Sequence, residues 1–459
     1  MYKIDFHHPV SVFFVGIGGI SMSGLAEILA DAGFRVSGSD RAHSALTDML
    51  EAKSITVFYG QRAENITDDL DVVVFTSAIH PDNPEYIAAH EKGIPCLTRA
   101  ELLGQLMKNY QTPVAVSGTH GKTTTTSMLS QILLQADTDP TLSIGGIFKP
   151  IGGNIRVGKS GYFVTEACEY TNSFLSFFPK IGVILNIEAD HLDFFRDLAD
   201  IRHSFRKFAE LLPADGCLVI NRSIENPEEI TAGLPCRIIT FGTDSTADYY
   251  PEKITYDALG HPTFLLHSPD GQTRTLSLQV PGEHNVMNAL AACAVSDYLG
   301  IDREISKTAL HDFGGTDRRF EYKGTIGGVT IIDDYSHHPT EITAALKAAR
   351  NCPHNRLWCV FQPHTYSRTK SLLKDFAKAL TLADKIVLAD IYAARETDHL
   401  GISSETLKEE IEALGHECFY FPTFDEIENF LLENCINGDL LITMGAGDVL
   451  KIGENLLGI

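Results

Sequence analysis

The segment from Pro113 to Ala136 reads PVAVSGTHGKTTTTSMLSQILLQA, an apolar run, a glycine loop and a helical run in immediate succession. Few backbone arrangements accommodate that order: a β-strand ends in a tight turn, and the following helix points its N-terminus back at the turn. The free backbone N–H groups of Gly118, Thr119, His120 and Gly121 then converge with the positive helix end, which is a place for phosphate. Lys122 reaches the β- and γ-phosphates, and Thr123 and Thr124 follow at the helix start, with the Thr123 hydroxyl on Mg²⁺. The pattern departs from GxxxxGK[ST] at its first position, Val116, and keeps Gly118, Gly121, Lys122 and Thr123. The competing reading is a glycine-rich turn that merely precedes a helix. With a strand before and a helix after it, the loop predicts an ATP-consuming enzyme.

A bound triphosphate needs further metal ligands, and these project from the C-terminal ends of neighbouring parallel strands. YFVTEA offers Glu166, and IGVILNIEADH offers Asn186, Glu188, Asp190 and His191. A solvated strand end is the alternative for Glu166, and a loop or capping histidine for His191.

At 459 residues the chain exceeds one hydrophobic core, and about one domain per 150 residues suggests roughly three. Residues 10 to 107 alternate apolar runs with helical patterns in βαβ rhythm. A new strand begins after the polar stretch KNYQT, residues 236 to 280 read as β-hairpins with turns at Pro269-Asp270-Gly271 and Pro281-Gly282, and βαβ rhythm returns from about 315. The expected fold is α/β in three domains. A Rossmann-like domain covers 1–107, a P-loop ATPase-type α/β domain with a small hairpin sheet covers 108–314, and a second Rossmann-like domain covers 315–459.

The first domain has its own glycine loop, VFFVGIGGISMSGLA, with Gly16 and Gly18 in fingerprint positions, Ser21 at the sixth, and Asp40 ending the next strand. Alone it suggests a nicotinamide-dependent oxidoreductase. A second nucleotide site in the middle domain disfavours that, because hydride transfer needs no ATP.

A net charge of −23 disfavours nucleic acid or anionic membrane as the main partner. The N-terminus shows no secretory pattern, and no apolar run is long enough to span a bilayer. The nine cysteines are scattered without a CxxC pair, which argues against a disulfide scaffold or zinc site and fits the cytoplasm.

In full, the chain resembles the Mur ligases of bacterial cell-wall synthesis. The resemblance rests on GIGGISMSGLA, SGSD, TSAIHPDNPE and RAELLGQLM, then GTHGKTTTT, TEACEY, NIEADHLDFF and HNVMNALAA, then DRRFE, DDYSHHPTE, FQPHTYSRT and MGAGDV. It implies a UDP-binding first domain, an ATP-binding centre and a third domain with the amino-acid pocket. The implied reaction joins L-alanine to the lactyl carboxylate of UDP-N-acetylmuramate through an acyl phosphate, consuming ATP. By resemblance, Lys122, Glu166, His191 and Arg319 are catalytic, and Thr123, Glu166 and His191 hold two Mg²⁺ ions, with Mn²⁺ as an alternative. Asn285, Asn288, Arg319 and Asp334 join the loop at ATP. Gly16, Gly18, Gly19, Ser39, Asp40 and Ser77 face the UDP substrate, and Tyr335, His337 and Arg368 line the amino-acid pocket. A monomer–dimer equilibrium is compatible with it.

Three departures stand out. Cys168 and Tyr170 occupy positions where many relatives carry acidic or hydroxyl residues, and Thr365 stands where many have arginine. Lys207 lies on the helix where some relatives carry a carbamylated lysine, with its direction left open. His120 is not explained by phosphate binding and is a candidate to face the substrate carboxylate. The rivals are a same-fold ligase adding another amino acid or a peptide, the oxidoreductase, and a non-catalytic nucleotide sensor; retention of Lys122, Glu166 and His191 disfavours the last.

Overall fold

The computed structural model describes residues 2–76, 79–394, 396–397 and 400–459. Ser77, expected at the UDP substrate, lies outside the described residues. The first sheet has five parallel strands in the spatial order Thr56–Tyr59, Arg35–Asp40, Ser11–Val15, Val72–Phe75 and Cys96–Thr98. Val12 and Phe14 enter one core cluster while Phe13 and Val15 enter another, so both faces of the central strand are covered. Chain order reverses beside Ser11–Val15, and the Gly16–Gly19 loop leaves that strand's carboxyl end at the switch point.

The second sheet has seven strands, ordered Arg237–Phe241, Cys217–Asn221, Ile181–Ile184, Thr112–Ser117, Tyr162–Ala167, Thr141–Phe148 and Gly153–Arg156. All neighbours pair in parallel except the last two. Thr112–Ser117 lies between Ile181–Ile184 and Tyr162–Ala167, with Ser117 in register with both Ile184 and Ala167. That register delivers the phosphate loop, the 185–191 segment and the Glu166–Tyr170 segment to one sheet edge.

The hairpin reading of residues 236 to 280 holds only in part. Tyr250–Tyr256, Pro262–His267 and Thr273–Ser277 do form a separate antiparallel sheet. Arg237–Phe241, however, pairs in parallel with Cys217–Asn221 as the edge of the large sheet. In the third domain the order is Glu321–Ile326, Val329–Asp334, Leu440–Met444, Leu357–Phe361, Lys385–Leu388 and Cys418–Tyr420. Its first strand is an antiparallel hairpin arm turned by Gly327 (φ 57°) and Gly328 (φ 79°), a two-residue turn that glycine favours. Among the described residues no helix is long and apolar enough to cross a membrane.

The first and second domains pack through glycines. A Cβ on Gly24 would lie 2.0 Å from Ile155 Cγ1, and one on Gly104 would lie 1.9 Å from the Ser176 carbonyl oxygen. A side-chain neighbour can rotate away, whereas a carbonyl of the backbone cannot. Gly104→Ala is therefore expected to destabilise this interface by about 1–3 kcal/mol, seen as an earlier first transition in urea denaturation; an unchanged unfolding profile would contradict the assignment.

Candidate active site

The phosphate loop depends on two backbone conformations that side chains disfavour. Gly118 has φ 141°, and a Cβ there would sit 2.9 Å from Leu185 Cβ; Gly121 has φ 82°, and a Cβ there would lie 2.5 Å from Asn288 Oδ1. Gly121 caps helix Lys122–Gln135 without contributing any side-chain hydrogen bond. The first N–H groups of the helix thus face the loop, the arrangement that attracts phosphate. Lys122 Nζ donates to the carbonyls of Gly118 (2.5 Å) and Thr119 (3.0 Å) and pairs with Glu169 Oε2 at 3.1 Å. Burial disfavours its charge, but Glu169 and the other nearby acids outweigh burial and push the ammonium pKa up. Lys122 is accordingly charged throughout the working pH range.

The neighbouring strands bring the expected oxygen donors to the loop. Thr123 Oγ1 donates to Glu166 Oε2 at 3.1 Å, and Gly145 N–H donates to Glu166 Oε1 at 2.5 Å. A hydroxyl beside a carboxylate is a hard oxygen pair that fits Mg²⁺. His191, in left-handed backbone (φ 52°), places Nε2 3.9 Å from Glu169 Oε1 and 3.7 Å from Asp190 Oδ2. Its neighbouring carboxylates are thus Glu169 and Asp190, where Glu166 was the expected partner. Burial, its largest influence, lowers the His191 pKa and keeps the ring neutral, with a lone pair for a metal.

A cavity of about 220 Å³ runs from the loop to helix Glu283–Tyr298 and the third domain. His120, Gly121, Thr124, Asn285, Asn288, Arg319 and Asp334 all line it. Asn285 Nδ2 donates to the Pro281 carbonyl (2.8 Å), and Asn288 Nδ2 donates to Asn285 Oδ1 (3.1 Å), while Gly282 holds the helix cap. From the third domain, Arg319 Nη2 reaches Thr123 Oγ1 at 3.4 Å. Arg319 lies between two residues of positive φ, Arg318 (61°) and Phe320 (53°). Their strain is held by Arg318, which donates to Asp333 and to the carbonyls of Gly445 and Gly447, and by Phe320 N–H, which donates to Asp334 Oδ2 at 2.7 Å.

A larger cavity, about 940 Å³, is lined from all three domains: Thr76 and Arg99, then Cys168, Tyr170 and His191, then Tyr335, His337 and Arg368. The three expected amino-acid contacts therefore share one space with His191. Arg368 donates to Asp190 through Nε (3.1 Å) and Nη2 (2.9 Å), and its Nη1 lies 3.1 Å from His364 Nδ1. Burial pulls His337 and His364 to about 4, so both rings are neutral and add no positive charge to this wall of the cavity. Thr365 adopts φ 66° at the start of helix Tyr366–Ser371, which leaves Arg368 as the guanidinium at this wall.

In the first domain Asp40 Oδ2 accepts from Gly18 N–H (2.8 Å), and Gly16 N–H donates to the Ser39 carbonyl (2.8 Å), so these residues build the loop itself. Gly19 caps the following helix, Ile20–Asp31. Ser39, expected at the UDP substrate, is fully buried, and its hydroxyl donates to buried Glu85 at 2.6 Å. The loop borders the large cavity through Thr76, packed on Gly16, and through Arg99, which donates to Ser21 Oγ at 3.1 Å.

Other expectations also change. His120, a candidate to face the substrate carboxylate, lines the smaller cavity and not the larger one, and contacts Glu341 and Glu188. Lys207 is exposed on helix Leu198–Ala209, whose inner face carries Ser204, Phe205 and Phe208. Burial pushes the Cys168 thiol up to about 11, so it is an uncharged wall residue. Tyr170 stacks on His191 (centroids 4.5 Å apart) and donates to Asp193 at 2.8 Å, which orients the histidine ring. Glu169 is the residue at this site that sequence reading passed over; its signal was its place three residues past Glu166 at the same strand end, whereas Asp190 was among the strand-end acids expected there.

Glu169, only 2% exposed, touches both Lys122 and His191. Glu169→Gln is expected to lower kcat/KM by about 10–100-fold, equivalent to about 1.4–2.7 kcal/mol; turnover within twofold of the parent would remove Glu169 from the site.

Three family models match successive parts of the chain: the Mur ligase family catalytic domain at residues 11–111, the Mur ligase middle domain at 116–296 and the Mur ligase glutamate ligase domain at 318–447. The chain is 61% identical over 457 residues to the UDP-N-acetylmuramate–L-alanine ligase of Agathobacter rectalis, with 100% of each chain covered. It is 60% identical to the enzyme of that name from Lachnospira eligens, again with 100% of each chain covered. Among solved structures, the UDP-N-acetylmuramate-alanine ligase of Thermotoga maritima superposes with a TM-score of 0.81 at 30% identity, covering 98% of both chains. A murein peptide ligase from Psychrobacter arcticus gives 0.71 at 25% identity, also covering 98% of both. On its sequence, its four sheets and the family models and relatives that match it along its length, the chain belongs to the Mur ligase family.

Proposed function

We propose that this protein joins L-alanine to the lactyl carboxylate of UDP-N-acetylmuramate at the expense of ATP, a step in building peptidoglycan precursors. The observation that carries the reading is the meeting of the Thr123–Glu166 pair, next to Lys122, with Arg319 at the smaller cavity, while His191, Tyr335, His337 and Arg368 share the cavity that all three domains line. The choice of L-alanine over a peptide draws on the relatives at 61% and 60% identity, which are named for that amino acid. Domain limits at 1–107, 108–314 and 315–459 are supported by the separate sheets and by where the family models begin and end. A cytoplasmic location is the expectation that goes with nucleotide substrates.

The chemistry begins with a carboxylate attacking the γ-phosphorus of ATP and ends with an amine attacking the resulting acyl phosphate; ADP, phosphate and an amide are formed. The first encounter brings two anions together, so positive charge at the transferring group is the dominant requirement. Lys122 and the N–H groups of the phosphate loop hold the β- and γ-phosphates. Arg319 approaches the same phosphates from the third domain, and Asp334, accepting from Phe320 N–H, fixes the turn before strand Glu321–Ile326 from which it projects. Asn285 and Asn288 line the adenine end. Thr123 and Glu166 would hold Mg²⁺, which when bound screens the triphosphate and polarises the phosphoryl oxygens. A second ion, Mg²⁺ or Mn²⁺, would be held by His191 together with Glu169. The Gly16–Gly19 loop and Asp40 take the UDP end, and Tyr335, His337 and Arg368 surround the amino acid, Arg368 facing its carboxylate. Closure of the three domains around this space keeps water from the acyl phosphate.

The reading is tested by phosphate release from ATP in the presence of UDP-N-acetylmuramate and a panel of amino acids and peptides. L-alanine should give the strongest stimulation; better stimulation by a tripeptide would move the protein to the peptide-adding branch. In the same assay Lys122→Ala should lose about 3 kcal/mol of transition-state stabilisation, roughly a hundredfold in rate, and near-normal turnover would contradict the role of the loop.

A further inference from the structure

One side chain of the phosphate loop is not used by phosphate. His120 points its ring out of the loop towards the third domain, with Nδ1 3.0 Å from Glu341 Oε1 and Nε2 3.5 Å from Glu188 Oε2. Its backbone is pinned too: the N–H donates to Asn186 Oδ1 at 2.7 Å and the carbonyl accepts from Asn186 Nδ2 at 3.1 Å. The His120 side chain is 11% exposed and that of Glu341 13%, so their contact is shielded from solvent. Glu341 does not stop at His120. Its other oxygen, Oε2, accepts from His337 N–H at 3.1 Å, and the His337 ring lines the amino-acid end of the large cavity. A continuous path therefore runs from the ATP loop, through one carboxylate, to the amino-acid pocket.

His120, Glu188 and His338 offer ligand atoms within 4.8 Å of one another, which raises a metal site as a rival explanation. The hydrogen bonds of His338 argue against it. Its Nε2 lies 3.2 Å from the Ala189 carbonyl and so carries the proton, while Nδ1 accepts from Thr340 N–H at 3.3 Å. Neither nitrogen keeps a lone pair for a metal. His120 instead faces a carboxylate on each side, which suits an imidazolium. Burial pulls its pKa down, yet Glu341 and Glu188 outweigh burial and raise it to about 9.

We propose that His120 is a positioning residue for the ligase reaction: through Glu341 it holds the phosphate loop in register with the amino-acid pocket of the third domain. The inference rests on the reading of this loop as the ATP site, and it extends that reading by tying nucleotide placement to amino-acid placement. The groups that bear on the His120 charge are Glu188 from the 185–191 segment and, at the start of helix Pro339–Asn351, Glu341 and His338, with His337 acting on Glu341. Arg319 acts on Glu341, and His284 lines the same cavity.

The test uses the full-length protein with ATP, UDP-N-acetylmuramate and L-alanine, comparing wild type with His120→Gln, Glu341→Gln and the double variant. Each single variant should lose about tenfold in kcat and raise the KM for L-alanine by a similar factor, and the double variant should be no worse than either, as for two ends of one contact. Affinity for a non-hydrolysable ATP analogue without L-alanine should stay within about threefold. The sign of the pH effect follows from the raised pKa: the contact is complete below the ordinary histidine range and is lost as pH rises through about 9. The alkaline limb of kcat near that pH should move towards neutrality in Glu341→Gln and vanish in His120→Gln. Additive losses, loss of ATP affinity with an unchanged KM for L-alanine, or unchanged rates would each overturn the proposal. So would a wild type that needs added Zn²⁺ or Mn²⁺ on top of Mg²⁺ while His120→Gln does not. Should His120→Gln fail to fold, Glu341→Gln breaks the same contact from the other domain and carries the same expectations. A wild type without L-alanine-dependent phosphate release sinks both this inference and the functional reading; an active wild type with unaffected variants sinks only the inference.

Discussion

Repulsion between two anions is the constraint that orders this molecule. A carboxylate must be brought to a triphosphate inside a chain whose net charge is −23, so positive charge has to be local, fixed and already desolvated. At the centre of the site stands the buried pair of Lys122 with Glu169. Keeping an ammonium in a closed loop is costly without a counter-ion, and Glu169 supplies one while the loop carbonyls of Gly118 and Thr119 accept the remaining protons. The lysine is thereby held charged beside the helix N-terminus, and phosphate oxygens can take over positions that carbonyls and a carboxylate occupy here.

No single domain carries enough positive charge for that task. The central domain provides Lys122 at the start of its helix, the first domain brings Arg99 to the larger cavity, and the third brings Arg368 to that cavity and Arg319 to the smaller one. Contacts across the boundary hold the third domain against the second: Arg319 to Thr123, Arg368 to Asp190, Thr340 to Glu188 at 2.6 Å, and Thr316 Oγ1 to Ser127 Oγ at 3.0 Å. Each ends on or near a residue of the phosphate loop, its helix or the 185–191 segment. The contacts that hold the third domain against the second thus also complete the site, and they help to hold the strained backbone around Arg319.

Much of this was legible in the sequence because it is local. A strand, a glycine loop and a helix in succession predict their own geometry, and the strand ends at Glu166 and His191 could be placed from apolar runs alone. What escaped was long-range. Nothing near Ser39 in sequence announces that its hydroxyl would be claimed by Glu85, 46 residues later. His120 meets Glu341 across 221 residues, and Arg368 meets Asp190 across 178. The parallel edge strand Arg237–Phe241 was read as part of a hairpin because an edge strand and a hairpin arm share the same short apolar pattern. Glu169 went unnoticed for a different reason: the neighbouring departures at Cys168 and Tyr170 drew the comparison, whereas the retained acid between them pairs with the lysine.

The central claim is that the substrate carboxylate, and not the amine, attacks the γ-phosphorus. It is tested most directly by supplying UDP-N-acetylmuramate with ¹⁸O in its lactyl carboxylate and measuring the isotope content of the inorganic phosphate by mass spectrometry after a single turnover. Passage through an acyl phosphate predicts one ¹⁸O atom in each phosphate released and one retained in the new amide. Phosphate free of ¹⁸O, with both labelled oxygens accounted for elsewhere, would contradict the account.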